Sequence, residues 1–431
     1  LVYRKFLQRG GLRDHEIVRL PSRRARVAHE PHPMEAQAVS RYFSIAEYET
    51  RWERVLSEMR RRGLETAVVF GRGGGTMDSC GDVLYLSNHY AISGGMDSAI
   101  WSARSFAAVI LRQGHAPQLH IDEPEVRRDL VAVSDVRSST HPFRSVAKSL
   151  ADIGVTGPVA LVGTNFIPLK YYSQLLEEAP AVEWVPTDDL VRSVRRLKSA
   201  RELDAYRIGG EGATVGLNRL MEGLISGLSE QEAAGEAARE VVRRGGRLQM
   251  IGCNHGATLG FDQRFPLTGY SADTPQPGDM LTGTIHAAFF QGYYMDPGRT
   301  GVRGRPTPDQ RRLIEAAADI VHHLSDMTRP GTRFLDVAAE GDRMTAAFGG
   351  SVSAIMKNFP FFGHSIGLGF ELPRISTSMS NADDMAHEGM VVGIEAFLSL
   401  EGVGAAFYED ILIVGRDGNE LLTRSPPHWW A

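Results

Sequence analysis

Cysteine is scarce in this 431-residue chain: only Cys80 and Cys253 occur, and they stand far apart. Without a CxxC spacing, neither a zinc knuckle nor a disulfide framework is implied, and so few thiols suit a reducing compartment. Long apolar runs are missing too. No stretch of 18 or more apolar residues occurs, so no membrane span is expected. The early basic residues are not followed by an apolar segment, so no signal peptide is expected and the chain reads as cytoplasmic. Positive charge is not in excess either. A formal net charge of −5 argues against nucleic acid as the main partner, because phosphate binding needs a basic face. Charged residues at 23% and hydrophobic residues at 42% are ordinary, which excludes disorder, collagen and a coiled coil for the bulk of the chain.

What is present suits two domains, since 431 residues exceed one ordinary core. Residues 1–41 form a basic N-terminal extension, and its first 33 residues are arginine-rich with little apolar periodicity. They read either as a basic arm for an acidic partner or as an unstructured extension ahead of Met34, the second being expected. Residues 42–195 then show alternating helical and strand patterns. Ser44 and Glu47 have the spacing of a capping box, and Tyr48, Trp52, Val55, Leu56 and Met59 recur at helical intervals up to Gly63. Apolar strands are expected at 67–70, 107–111 and 159–162, which together indicate an α/β domain. The glycine-rich segment 71–75 lacks the features of a phosphate loop and reads as a turn.

The stretch 191–202, holding Arg192, Arg195, Arg196, Lys198 and Arg201, reads as a solvated helix face at the domain boundary. Residues 196–431 make the second domain. Helices are expected at 202–224, 229–245, 307–328 and 334–348, with Ser229 and Thr307–Pro308 as start signals and Arg329–Pro330–Gly331 as a stop.

Four segments set acids and histidines in apolar, strand-like surroundings: 293–300 around Asp296, 363–367 around His364, 389–395 ending in Glu395, and 408–414 around Glu409. A carboxylate in such a place is costly unless a cation, an arginine or a hydrogen-bond network neutralises it. Each alone is weak evidence.

Taken together and in order, the four resemble the "SDxTRT", "GHGIG", "GMxxxiEP" and "EDxxxV" motifs of the M24 superfamily, which holds methionine aminopeptidase, aminopeptidase P, prolidase and creatinase. Gly278–Asp279–Met280, the 196–203 linker and a fainter match in the N-terminal domain extend the likeness to about residues 42–425. The resemblance implies an α+β protein: a pita-bread C-terminal domain preceded by a creatinase-type α/β domain. It implies one or two divalent metal ions (Mn, Zn, Fe or Co) held by Asp296, His364, Glu395 and Glu409, Asp296 and Glu409 bridging. It also implies a homodimer acting on a small molecule or short peptide. Carboxylates with one or two imidazoles suit such metals.

Departures from the motifs are as informative. The first aspartate ligand of the resembled family has no counterpart in 281–288, where His286 is the strong candidate and the Thr284 hydroxyl a weaker one. Phe370 stands in place of a histidine before the Glu371–Leu372–Pro373 element, and Phe407 in place of an arginine. An upstream histidine finds Leu259 at its spacing, with His255 as a possible substitute. Glu371 is the expected general acid/base, its proton affinity tuned by nearby metals. The expected function is a metal-dependent hydrolase of a C–N bond, through a metal-activated water. The alternatives are a creatinase-like or lyase enzyme for a small polar metabolite, and a non-catalytic scaffold.

Overall fold

A computed structural model describes residues 41–73, 79–90, 105–123, 126–257, 268–349, 351–352 and 361–430. The N-terminal extension, Leu259 and the distal part of the glycine-rich segment lie outside the described residues. Residues 41–431 form one compact unit.

Its first half runs α1 (Ile45–Arg61), β1 (Thr66–Arg72), α2 (Gly81–Ser87), β2 (Phe106–Arg112), β3 (Gln118–Ile121) and β4 (Asp135–Ser138). It continues with α3 (Pro142–Asp152), β5 (Gly157–Val162), α4 (Leu169–Glu178), β6 (Val182–Pro186) and α5 (Leu190–Arg195). The strands join in the order β4-β3-β2-β1-β5-β6. The β1–β5, β5–β6 and β3–β4 pairs are parallel, while β2 runs antiparallel to both its neighbours. Helix α1 starts at Ser44, whose hydroxyl accepts the Glu47 amide at 3.2 Å. The Glu47 carboxylate turns instead to Arg51 at 3.4 Å, so only half of the expected capping box forms. Tyr48, Arg51, Val55 and Met59 make the buried face.

The second half begins with α6 (Ala200–Ser226), α7 (Glu230–Arg243), β7 (Arg247–Gly256), β8 (Met280–Ala288), β9 (Tyr294–Met295) and β10 (Gly298–Val302). It goes on through α8 (Pro308–Met327), α9 (Phe334–Phe348), β11 (Ser351–Val352), β12 (Gly363–Ile366) and β13 (Phe370–Arg374). Strands β14 (Val391–Leu400), β15 (Gly404–Ile413) and β16 (Glu420–Leu421) close it. The spine of this antiparallel sheet is β13-β12-β14-β15-β10-β8-β7.

Reciprocal capping boxes start three of these helices: Ser199 with Glu202, Ser229 with Glu232 and Thr307 with Gln310. The first of them begins α6 ahead of its apolar pattern. Helix α8 buries Leu313, Ile314, Ala317, Val321 and Leu324 at helical spacing against β14 and β15. Each Leu, Ile or Val so covered contributes roughly 1.5–3 kcal/mol, and Leu313→Ala would cost about 2–5 kcal/mol. Along β14, Val392, Ile394 and Ala396 join the core under α8. Alternation therefore turns Gly393 and Glu395 to the opposite face, away from the helix.

The charged stretch leading into α6 is solvated only in part: Arg201 is exposed and Arg192 and Arg196 are half-buried. Arg195, Lys198 and Glu202 are buried, at 4%, 8% and 1% exposure, so the expectation for that segment is corrected. Its charges meet partners far away in sequence: Arg195 pairs with Asp82 and Glu371, and Glu202 accepts from the Tyr293 hydroxyl at 2.7 Å.

Candidate metal centre

Strand register brings the motif residues together. Glu395 and Glu409 are direct partners across β14 and β15, and His364 pairs with Gly393, one turn of the pleat from Glu395. Asp296 lies in the short link between β9 and β10, two residues before Gly298, which pairs with Glu409. All four side chains are buried. From the His364 Nε2 atom, Asp296 Oδ2 is 3.4 Å away, Glu409 Oε1 3.7 Å and Glu395 Oε1 3.8 Å. Ligand-type atoms of Asp296, His364 and Glu409 lie within 4.8 Å of one another. Gly393 keeps the floor open, because a Cβ there would come within 2.8 Å of Glu409 Oε1.

The chemistry of this donor set fits a divalent cation. His364 Nδ1 lies 3.0 Å from the Ser365 carbonyl; that oxygen only accepts, so Nδ1 carries the proton and Nε2 presents a lone pair to the acids. Asp296 Oδ1, His364 Nε2, Glu395 Oε1 and Glu409 Oε1 are buried without a hydrogen-bond partner. Burial pushes the Glu395 carboxyl up to about 7, with His364 pulling down and Asp296 pushing up. Burial, then Asp296 and Glu395, hold the Glu409 carboxyl well above the usual carboxylate range. Three acids in one dry wall resist ionising together unless a positive charge joins them.

Beneath the site, the fully buried Arg299 donates to Asp410 Oδ1 at 2.6 Å and to the Glu409 carbonyl at 2.6 Å. It ties β10 to β15 and so fixes Asp296 relative to Glu409.

His286 approaches from β8. Ala287 pairs with Met295 and Thr284 with Gly298, and the same register sets His286 opposite Asp296. Its Nδ1 is 3.0 Å from the Tyr294 hydroxyl. Burial holds its imidazole below the ordinary pKa, against the pull of Asp296, and the neutral ring is the ligating form. It stands beside the tight trio rather than within it. Thr284, the weaker candidate, gives its hydroxyl to the Gly252 carbonyl at 3.3 Å.

Two expected catalytic residues do not join the cluster. In the β12–β13 register Phe370 pairs with Ile366, on the face of His364, whereas Glu371 pairs with Ser365 on the other face. There Glu371 is ion-paired with Arg195 and accepts from the Leu368 amide at 3.1 Å. A carboxylate so placed and paired is turned away from His364, so the structure does not bring the expected acid/base to the cluster. His255 lies five positions along β7 from Met250, the partner of His286, a strand distance of roughly 16 Å. Its Nδ1 is 2.5 Å from Glu230 Oε1 on α7, so the expected substitute histidine is held apart from the cluster.

Phe407 is buried and stacked on Phe397 with centroids 4.6 Å apart; no cation arrives from that position. One arrives instead from β13, and sequence reasoning passed over it. Arg374 pairs with His364 across the β12–β13 bulge. Its guanidinium lies 4.0 Å from the Phe370 ring centroid, and that ring lies 3.5 Å from the His364 ring. Arg374 Nε and Nη1 are buried without a hydrogen-bond partner, and burial, opposed by Glu395 and Asp296, lowers its pKa. Only its place one residue after Pro373 hinted at it. Phe370 and Leu372 remain 37% and 50% exposed on that face, forming an apolar rim.

Comparison with known proteins agrees with this architecture. The profile of metallopeptidase family M24 matches residues 204–416. An Xaa-Pro dipeptidase of Pyrococcus horikoshii is 23% identical over 60% of this chain and 71% of its own length. A probable dipeptidase PepE of Mycobacterium tuberculosis is 27% identical over 62% of this chain and 69% of its own. The solved structure of dipeptidase PepE from Mycobacterium ulcerans superposes with a TM-score of 0.71 at 22% identity, covering 90% of this chain and 100% of that one.

Proposed function

Because this chain belongs to the M24 superfamily and is an enzyme of that type, we propose that it hydrolyses the amide bond of a short peptide with a free carboxylate. Asp296, His364, Glu395 and Glu409 would hold the divalent cation, with His286 beside them. The observation that carries this is the set of three buried carboxylates gathered within 3.8 Å of His364 Nε2, each of the four side chains keeping a buried polar atom without a hydrogen-bond partner. Bound there, a divalent cation supplies Lewis acidity and a water acidic enough to attack near neutral pH.

The chain's own residues do the rest. Arg374 offers a guanidinium with two donors, Nε and Nη1, that have no hydrogen-bond partner, and a guanidinium is the cation best suited to a substrate carboxylate. Phe370, held between the His364 and Arg374 side chains, keeps that side chain pair in place and excludes water from it. As a ring without a proton to give, it leaves the leaving amine without a donor from this position.

The test is release of amino acids from Xaa-Pro and Xaa-Xaa dipeptides by the Mn²⁺-loaded protein, before and after chelation. Chelator-sensitive hydrolysis supports the reading. Absence of hydrolysis with Mn²⁺, Co²⁺, Zn²⁺ and Fe²⁺ alike contradicts it. A second reading, a C–N hydrolase or lyase for a small polar metabolite, draws on Phe370 and Phe407 where the motif residues are lost. Turnover of small amides in place of peptides would favour it.

A further inference from the structure

The segment from β12 through the turn to β13 presents His364, Phe370 and Arg374 to one face, and β13 is the edge of its sheet. An edge strand has a neighbour on one side only, so its position is set by whatever covers it. Here the cover is the junction between the two halves of the molecule. Arg195, the last residue of α5, donates through Nη1 to Glu371 and through Nε to Asp82 of α2 at 2.7 Å. Lys198 donates through Nζ to the carbonyls of Ile366 and Arg196. The Tyr206 hydroxyl of α6 donates to the Gly367 carbonyl at 2.9 Å, and the same carbonyl accepts the Tyr294 amide at 3.0 Å. All three side chains are buried.

Two glycines leave room for this contact. A Cβ on Gly367 would sit 1.7 Å from Glu371 Oε1, and one on Gly81 would meet Leu368 Cβ at 3.1 Å and Arg195 Nη2 at 3.4 Å. Neither has a positive φ, so it is space, not backbone freedom, that calls for glycine there. The junction therefore reaches the site by a short route: Arg195 to Glu371, whose strand neighbour Phe370 lies on the His364 ring, and Tyr206 to Gly367, three residues past His364.

We propose that Arg195 and Tyr206 are positioning residues for the metal centre: by holding the β12–β13 turn against α2 and α6 they set where the His364 imidazole meets Asp296 and Glu409. The inference rests on the metal-binding reading above. It gives the first half of the chain a part in the reaction without any group of its own at the cluster.

The experiment uses the full chain as wild type, Arg195→Gln, Arg195→Lys and Tyr206→Phe. Amide hydrogen exchange is followed for residues 363–374 and 391–413, and Mn²⁺ is titrated calorimetrically. In Arg195→Gln and Tyr206→Phe, exchange in 363–374 should quicken while 391–413 stays protected, and Mn²⁺ affinity should fall by about tenfold, the low end for a residue supporting a ligand. Arg195→Lys should recover part of that loss, since an ammonium reaches one of the two carboxylates but cannot fork between them. Removing one partner of a buried ion pair endangers folding; if Arg195→Gln does not fold, Tyr206→Phe, which deletes a single hydroxyl, decides. Folded variants with unchanged exchange, or with faster exchange but wild-type affinity, overturn the proposal. A wild type that takes up no Mn²⁺ sinks the metal reading instead, and exchange alone then decides the positioning role.

Discussion

His286 stands directly opposite Asp296 across the hairpin whose turn, Gln291 and Gly292, carries positive φ at both residues. An imidazole thus stands where the resembled motif has its first aspartate, and any cation on that side meets one negative charge fewer. Two cations should bind with unequal affinity, and the weaker should leave as pH falls below roughly 6.5, the ordinary imidazole value, because burial holds His286 under it. A metal titration at pH 8 should resolve two sites in the wild type and one in His286→Ala. A single site in the wild type, untouched by the substitution, would mean that His286 is not a ligand.

Arg374 separates recognition from chemistry. A charge-assisted hydrogen bond contributes about 1.5–3 kcal/mol, so Arg374→Met should raise KM for dipeptides about 10- to 100-fold with little change in kcat. C-terminally amidated peptides should show no such penalty. An equal loss on both would place Arg374 outside the carboxylate site.

Phe370 bears on rate. With no proton to give, it should leave ordinary Xaa-Pro dipeptides poor substrates compared with an uncharged or bulkier amide. Phe370→His should speed Xaa-Pro hydrolysis about tenfold or more, the modest side of the roughly 10²–10⁴ a positioned proton donor supplies. Efficient wild-type turnover of Xaa-Pro dipeptides would contradict this.

A pH-dependent strain sits far from the site. His120, fully buried on β3 with Nδ1 2.8 Å from the Ser145 hydroxyl, is pushed down to about 4, by burial first and Arg137 second. Between that value and the ordinary 6.5 the unfolded chain binds the extra proton. Stability is therefore full above 6.5 and is lost as pH falls toward 4, by up to about 3 kcal/mol. His120→Asn should flatten the denaturation midpoint against pH in that window; a slope equal to wild type would exclude His120 as its source.

Much of this was legible in the chain. Thr307–Pro308 and Arg329–Pro330–Gly331 bound α8 because caps and stops are local chemistry. Asp296, His364, Glu395 and Glu409 were legible because each sits in a short motif, although their meeting point depends on strand pairing. What stayed hidden depends on distant partners. Arg195 and Lys198 look like any solvated charge run until Glu371 and Ile366 arrive from over 160 residues away. Glu371 looked catalytic beside His364 in sequence, but a one-residue step along β13 moves a side chain to the other face. Arg374 escaped notice because its value lies in a ring stack and two unsatisfied donors, which no spacing announces.

The central claim is that the four buried residues hold a divalent cation. Its most direct test is the metal content of wild type, His364→Ala and Glu395→Ala after equilibration with Mn²⁺ and removal of the unbound ion. Circular dichroism on the same samples checks that each is folded. The wild type should retain one or two ions per chain, and each folded variant should lose bound metal and hydrolytic activity together. Unchanged metal stoichiometry in both folded variants would contradict the claim.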